Sequence, residues 1–160
     1  MISIKRTLFL FCTFSIILAL SAQSKVNDIP VEDLSIQVKG VLESYASILH
    51  RSASLEEAAE AFTPIAGGTL VNDDNTLSRN TIQFGLKKDF NNFKHYAYPI
   101  RITRVNRTLE TSSGYGQTKV SGTGYKIWIA KKDPSKGMPA PVTIILPATG
   151  TAKVVNVGSY

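Results

Sequence analysis

The residues able to do chemistry in this 160-residue chain are few and far apart. It has two histidines, His50 and His95, and one cysteine, Cys12. Two distant imidazoles, with no cysteine near them and no carboxylate pair beside them, do not make a ligand set for a metal. No metal and no cofactor is therefore expected. Gly122-Thr123-Gly124 runs into a strand-like stretch rather than a helix, so it is not a phosphate-cradling loop. No nucleophile elbow supports a Ser-His-Asp arrangement. Tyr45, His95, Asp73 and Asp74 remain as weak candidates for acid–base work.

Each has a plainer reading beside the chemical one. Asp73-Asp74-Asn75 follows an apolar run and fits ordinary turn chemistry, which is preferred over two carboxylates at a cavity mouth. Tyr45 falls on an apolar helical stripe and is read as a core tyrosine whose hydroxyl finds a backbone partner; the alternative is a polar group in a cavity. His50 closes a helix, where the macrodipole favours a cation. His95, in KHYAYP, closes another helix beside Tyr96 and Tyr98 and is either structural or turned to a cavity. Asp89, between Leu86 and Phe90, is read as solvated. Glu110 sits near a turn and Asp133 in a loop.

The elements that must position these groups follow from periodicity. Leu34, Val38, Val41, Tyr45 and Ile48 recur in steps of four and three, which predicts a helix with one buried stripe. Ser54 with Glu57 forms a capping box ahead of Leu55, Ala58, Ala59 and Phe62, a second short helix that Thr63–Pro64 ends. GGTLVNDDN reads as a short strand and turn, and residues 25–30 as a mobile lead-in. Ile82, Leu86, Phe90 and Phe93 predict a third helix, closed at Tyr98–Pro99, with Gly85 as an unfavourable interior residue. Beyond Pro99 the period drops to two. Ile100 and Ile102 alternate with Arg101 and Thr103; Tyr125, Ile127 and Ile129 oppose Lys126 and Trp128. PVTIILP and AKVVNVG supply the last two strands.

The first residues stand apart. Lys5 and Arg6 precede an apolar run from Leu8 to Leu20, and small residues follow at Ser21, Ala22 and Ser24. This predicts a secretory signal peptide over 1–24, cleaved near Ala22–Ser24, and a single domain over 25–160 exported to the periplasm or beyond. The run is too short for a good membrane span. Cys12 lies inside it, away from the place a lipoprotein cysteine occupies, so no stable membrane anchor is expected. The remaining chain has no cysteine and must be held by its core alone. The formal charge of +6 falls to about +4 without Lys5 and Arg6. That charge is segregated. Residues 25–60 carry seven acids against three bases, and residues 101–136 carry eight bases against two acids.

Two helices, a short strand, a third helix and four strands, with KVVNVGS at 153–159 and a hairpin loop before PAPVTIIL at 139–146, resemble the nuclear-transport-factor-2-like superfamily. That superfamily includes ketosteroid isomerases and SnoaL-like cyclases. The resemblance spans roughly residues 34–160 and implies an α+β fold: three helices packed on a strongly bent antiparallel sheet, a cone with a central cavity. It implies activity less firmly, because one fold hosts many functions. Isomerase-like members set a general-base carboxylate and an acid or oxyanion donor inside the cone, where burial raises a carboxyl pKa.

The resulting expectation is an exported small-ligand-binding module with a cavity between helices and sheet. Tyr45, His95, Tyr98, Arg101, Tyr125 and Trp128 are its expected ligand contacts, and the unknown small molecule can be anionic. One alternative is a SnoaL-like or ketosteroid-isomerase-like enzyme using Tyr45, His95 or Asp73/Asp74. Another is a non-catalytic interaction domain, its cone filled by Phe62, Phe90 and Phe93 and its basic sheet face docking a partner. Arg101, Arg104, Arg107, Lys126 and Lys132 with Trp128 and Tyr125 would suit single-stranded nucleic acid, but export argues against that partner. Trp128 also suits a homodimer contact through the sheet.

Overall fold

A computed structural model of the protein describes residues 26–160; the expected leader, its cleavage region and Cys12 lie outside the described residues. Among the described residues no helix is long and apolar enough to cross a membrane.

The fold is α+β: three helices pack against an open five-stranded antiparallel sheet. Its strands are β1 (Val26–Ile29), β2 (Ile102–Ser113), β3 (Val120–Ile129), β4 (Ala140–Leu146) and β5 (Lys153–Asn156), and they neighbour one another in chain order. The lead-in expected to be mobile is thus an edge strand, with Val26 opposite Thr108 and Ile29 opposite Val105. Unpaired backbone on the long β2 edge recruits it, because ladder hydrogen bonds satisfy groups that would otherwise stay open. Alternation along β3 falls as the period of two requires. Tyr125, Ile127 and Ile129 are buried, Lys126 is exposed and Trp128 half-buried on the other face. Register shifts between Ile102 and Arg104 and between Thr108 and Thr111 interrupt β2, where Glu110 takes φ +57°. Such bulges bend a strand and increase its twist.

Helix α1 (Ile36–Arg51) starts at Ser35, whose Oγ accepts the Val38 amide at 3.4 Å. Its buried residues are Val38, Leu42, Tyr45, Ala46 and Leu49, while Val41 and Ile48 are half-buried. The buried face is therefore turned from the expected stripe towards Leu42, Ala46 and Leu49, and the helix packs on β4 and the second helix. Helix α2 (Leu55–Phe62) begins as a capping box: Ser54 Oγ accepts the Glu57 amide at 3.2 Å, and Glu57 Oε2 accepts the Ala53 amide at 2.7 Å.

Two expectations between α2 and the sheet are corrected. GGTLV forms a single tight turn over Gly68–Leu70 and one bridge, Val71 to Leu77, rather than a strand. The third helix is not uniform. It opens with a π-helical turn, Thr81–Leu86, continues as α3 (Lys87–Asn92) and tightens into a 3₁₀ turn, Phe93–His95. Gly85 explains the widening. A Cβ there would come 2.8 Å from Val157 Cγ2, so the chain beyond β5 runs directly over the glycine. The final apolar run is thus only half strand: after Asn156 it leaves the sheet and crosses α3.

Gly68 is a tight joint between the turn after α2 and the end of β2. It takes φ +64°, and a Cβ on it would lie 2.6 Å from Ser113 Cβ at the end of β2. Gly68→Ala is expected to cost about 2–3 kcal/mol from left-handed strain and overpacking together. Gly40→Ala, on the exposed side of α1 with nothing within 4 Å, is expected to stabilise by up to about 1 kcal/mol. Urea unfolding midpoints measure both, and a Gly68→Ala protein as stable as its parent would contradict this packing.

Candidate functional site

Asp89 is a carboxylate buried in the core, at 1% exposure. Solvation was expected for it, and the structure corrects this. Asp89 sits one turn after Leu86 and one turn before Phe93, on the side of α3 that faces the core. Its Oδ2 accepts the Tyr45 hydroxyl at 2.7 Å and the Gly158 amide at 2.7 Å; its Oδ1 accepts the Tyr160 amide at 2.8 Å. Burial raises the Asp89 carboxyl above the usual range, against the lowering effect of these three donors. Burial first, and the Asp89 charge second, push the phenols of Tyr45 and Tyr160 well above their ordinary values. Both therefore stay protonated, and Tyr45 serves as a donor. Its partner is a carboxylate rather than the expected backbone group.

Rings close around this carboxylate. Tyr45 and Phe62 lie 4.8 Å apart between centroids, Tyr96 and Tyr160 4.6 Å, Phe93 and Tyr160 5.6 Å. Asn92 Nδ2 donates to the Tyr160 carbonyl at 3.1 Å and Lys88 Nζ to the Gly158 carbonyl at 2.7 Å. The Tyr160 hydroxyl is buried and has no hydrogen-bond partner among the described residues. A general base needs a free lone pair facing substrate. Here three donors hold the carboxylate and residues 158–160 cover it, so a substrate would reach Asp89 only by displacing that segment.

A second cluster lies where α3 ends against the β3–β4 loop. The backbone ties the two together: Lys132 donates to the His95 carbonyl at 2.9 Å, Ala97 to Ala130 at 3.0 Å and Ala130 to Arg101 at 2.8 Å. Tyr96 and Lys131 form an isolated antiparallel bridge. The loop turns at Pro134–Lys136, where Asp133 Oδ1 accepts the Ser135 amide at 3.0 Å and hydroxyl at 2.7 Å. These bonds, the hydroxyl's foremost, hold the Asp133 carboxyl below its usual range. Lys131 Nζ donates to the Lys136 carbonyl at 2.8 Å and stands 5.7 Å above the Tyr96 ring. Between these walls opens a hollow of about 450 Å³ lined by Lys94, His95, Lys131, Lys132, Asp133 and Lys136. His95 and Lys131 also line an adjoining hollow of about 410 Å³, bordered by Asn92, Tyr96, Pro139, Pro141, Ser159, Tyr160 and the exposed Met138. The two share His95 and Lys131 and form one trough, basic at one end and mixed polar and apolar at the other.

The residues singled out from the sequence spread over several places. His95 lies in the trough. Arg101 shares a smaller hollow of about 220 Å³ with Lys131 and Pro139 at its flank. Tyr98 stacks on His50 at 4.0 Å, beside α1. Tyr45 is in the core, and Tyr125 is buried on the helix-facing side of β3. Trp128 is on the opposite face, with Arg104 and Lys126 at 5.0 and 5.2 Å from its ring centre. Arg104 also pairs with Asp28 at 3.1 Å. Asp73 is exposed; Asp74 accepts the Thr76 amide at 3.0 Å and hydroxyl at 2.6 Å, as the turn reading requires. Among the described residues no three His, Cys, Asp or Glu side chains gather as a metal site would need. Lys94, Lys131 and Lys136 escaped notice as a group because two segments remote in sequence, 94–95 and the 131–136 loop, meet only in the fold. Asp89 carried a legible signal: its spacing from Leu86 and Phe93 puts it on the apolar side of its helix.

Two comparisons test the carboxylate knot. Tyr45→Phe is expected to cost about 1–3 kcal/mol, whereas Tyr160→Phe removes an unpartnered hydroxyl and is expected to be neutral or stabilising. Equal losses from both would contradict the assignment. Asp89→Asn turns an amide group towards donors and is expected to cost about 2 kcal/mol or more. Because the folded-state carboxyl is raised, the folded protein holds a proton that the unfolded chain has released between the ordinary carboxylate value and the raised one. The Asp89 contribution is fully present below that interval and is lost as pH rises through it. The stability gap between wild type and Asp89→Asn should therefore narrow with rising pH and then level off. Denaturation at a series of pH values measures it, and a gap that widens would refute the raised carboxyl.

No family model, no curated protein and no solved structure matches the chain.

Proposed function

We propose that the protein is an exported, non-catalytic binding module, of the nuclear-transport-factor-2-like type, that takes a small ligand in the trough beside His95. One observation carries the reading: a hollow lined by four lysines and His95, its walls tied by backbone hydrogen bonds, adjoins a second hollow lined by both polar and apolar groups. Ligand sites combine apolar lining with a few convergent polar groups, and this trough has both. The covering of Asp89 by residues 158–160, with three donors already on it, favours binding over acid–base chemistry. Export rests on the leader-like residues before Lys25.

The second reading is an interaction domain using the outer sheet face. Its support is Trp128 held between Arg104 and Lys126, an aromatic flanked by cations on a solvent-facing strand. The two readings differ in which surface responds. Native mass spectrometry of the purified protein is expected to show a small bound mass that denaturation releases. Fragment screening by NMR is expected to shift signals at His95, Tyr96 and Met138, and His95→Ala is expected to weaken that response. A clean mass with no fragment response in the trough would sink the ligand reading and leave the Trp128 face as the functional surface.

A further inference from the structure

The basic end of the trough narrows the ligand class. Four lysines, Lys94, Lys131, Lys132 and Lys136, and His95 line one hollow with a single acid, Asp133. That acid accepts the Ser135 amide and hydroxyl and keeps its charge, so four lysines face one carboxylate. The one ion pair found among the described residues is Arg104 with Asp28, far along the sheet, so none of the four lysines is neutralised by a side chain there. Gathering like charges costs free energy, which a bound anion relieves. The arrangement is also held in place. Lys131 is half-buried, anchored to the Lys136 carbonyl and seated over Tyr96, and the two walls are joined through Lys132 and His95. Lysines brought to one hollow from two segments suit a compact multivalent anion better than an extended strand, which needs a charged track.

Resting on the trough as the ligand site, we propose that its basic end binds a tetrahedral oxyanion, a phosphate or sulfate group. The rest of the ligand lies in the adjoining hollow, which offers Asn92 and Ser159 as well as Tyr96, Pro139 and Pro141. The ligand class is thus a small molecule carrying one phosphoryl or sulfuryl group. A free metabolite and a lipid headgroup share this chemistry.

The test titrates the full chain with inorganic phosphate and with sulfate at ionic strength held constant by sodium chloride, followed by NMR. Saturable shifts are expected at Lys94, His95 and Lys131–Lys136. Lys132→Glu/Lys136→Glu, both at exposed positions, is expected to weaken phosphate binding by about tenfold or more. Lys87→Glu/Lys119→Glu, at exposed positions outside the trough and with the same change of net charge, is expected to change it by less than about twofold. Phosphatidylglycerol vesicles against phosphatidylcholine vesicles separate the sources: binding only to the anionic vesicles, lost in the trough pair, assigns the oxyanion to a headgroup. Equal weakening by both pairs, or shifts spread over all basic residues, overturns the proposal. Fragments that still fill the trough while neither oxyanion nor anionic vesicle binds there would overturn the oxyanion alone and leave the trough standing. No response of any kind at the trough would remove both.

Discussion

One carboxylate joins three parts of the chain that are remote in sequence. Asp89 reaches Tyr45 on α1, the amide of Gly158 and the amide of Tyr160. Without it, two backbone donors and a phenol would be buried unpaired, each at a cost of about 1–3 kcal/mol. With it, the segment after β5 is drawn across α3 and the Tyr160 ring is placed among Tyr45, Phe93 and Tyr96. The route of that segment then sets local structure elsewhere. Gly85 is the residue it can pass over, and the helix widens there. The arrangement is mutually dependent, as buried polar networks are: fully satisfied it specifies one packing, and partly satisfied it would be a liability.

The same knot bears on where chemistry is available. The helix-facing side of the sheet, with Tyr125, Ile127 and Ile129, meets a core that already holds Phe62, Phe93 and Tyr160. Polar side chains without local partners gather instead at the rim, where α3 ends and the β3–β4 loop returns. Segregated charge is thereby divided in space. Arg104 and Lys126 flank Trp128 on the outer face, Arg104 also meeting Asp28 of β1, while Lys94, Lys131, Lys132 and Lys136 converge at the end of the sheet. Coulomb energy alone would spread these groups; backbone hydrogen bonds between 95–97 and 130–132 hold them together.

Much of the fold was legible because it rests on local periodicity. The inward set of β3, the stripe through Val38 and Tyr45, and the Ser54–Glu57 box all follow from spacing that one element imposes by itself. Failures occur where a distant segment decides. Val26–Ile29 carries no marked strand signal and becomes a strand because β2 offers an open edge. Asp89 was misjudged by its charge, although its place between Leu86 and Phe93 pointed inward. The trough was legible only in pieces, as His95 on one side and a basic loop on the other.

The sequence by itself determined the fold class, the succession of the later strands, the cap of α2, and the segregation of charge. Each follows from residues within one or two turns or pairs of one another, where propensity and period act directly. Tertiary structure decided what Asp89 does, where the last residues go and which lysines share a hollow with His95. Those outcomes depend on desolvation and on hydrogen bonds between segments tens of residues apart. No local pattern encodes which buried donor will meet which acceptor, and only the packed chain brings them within 3 Å.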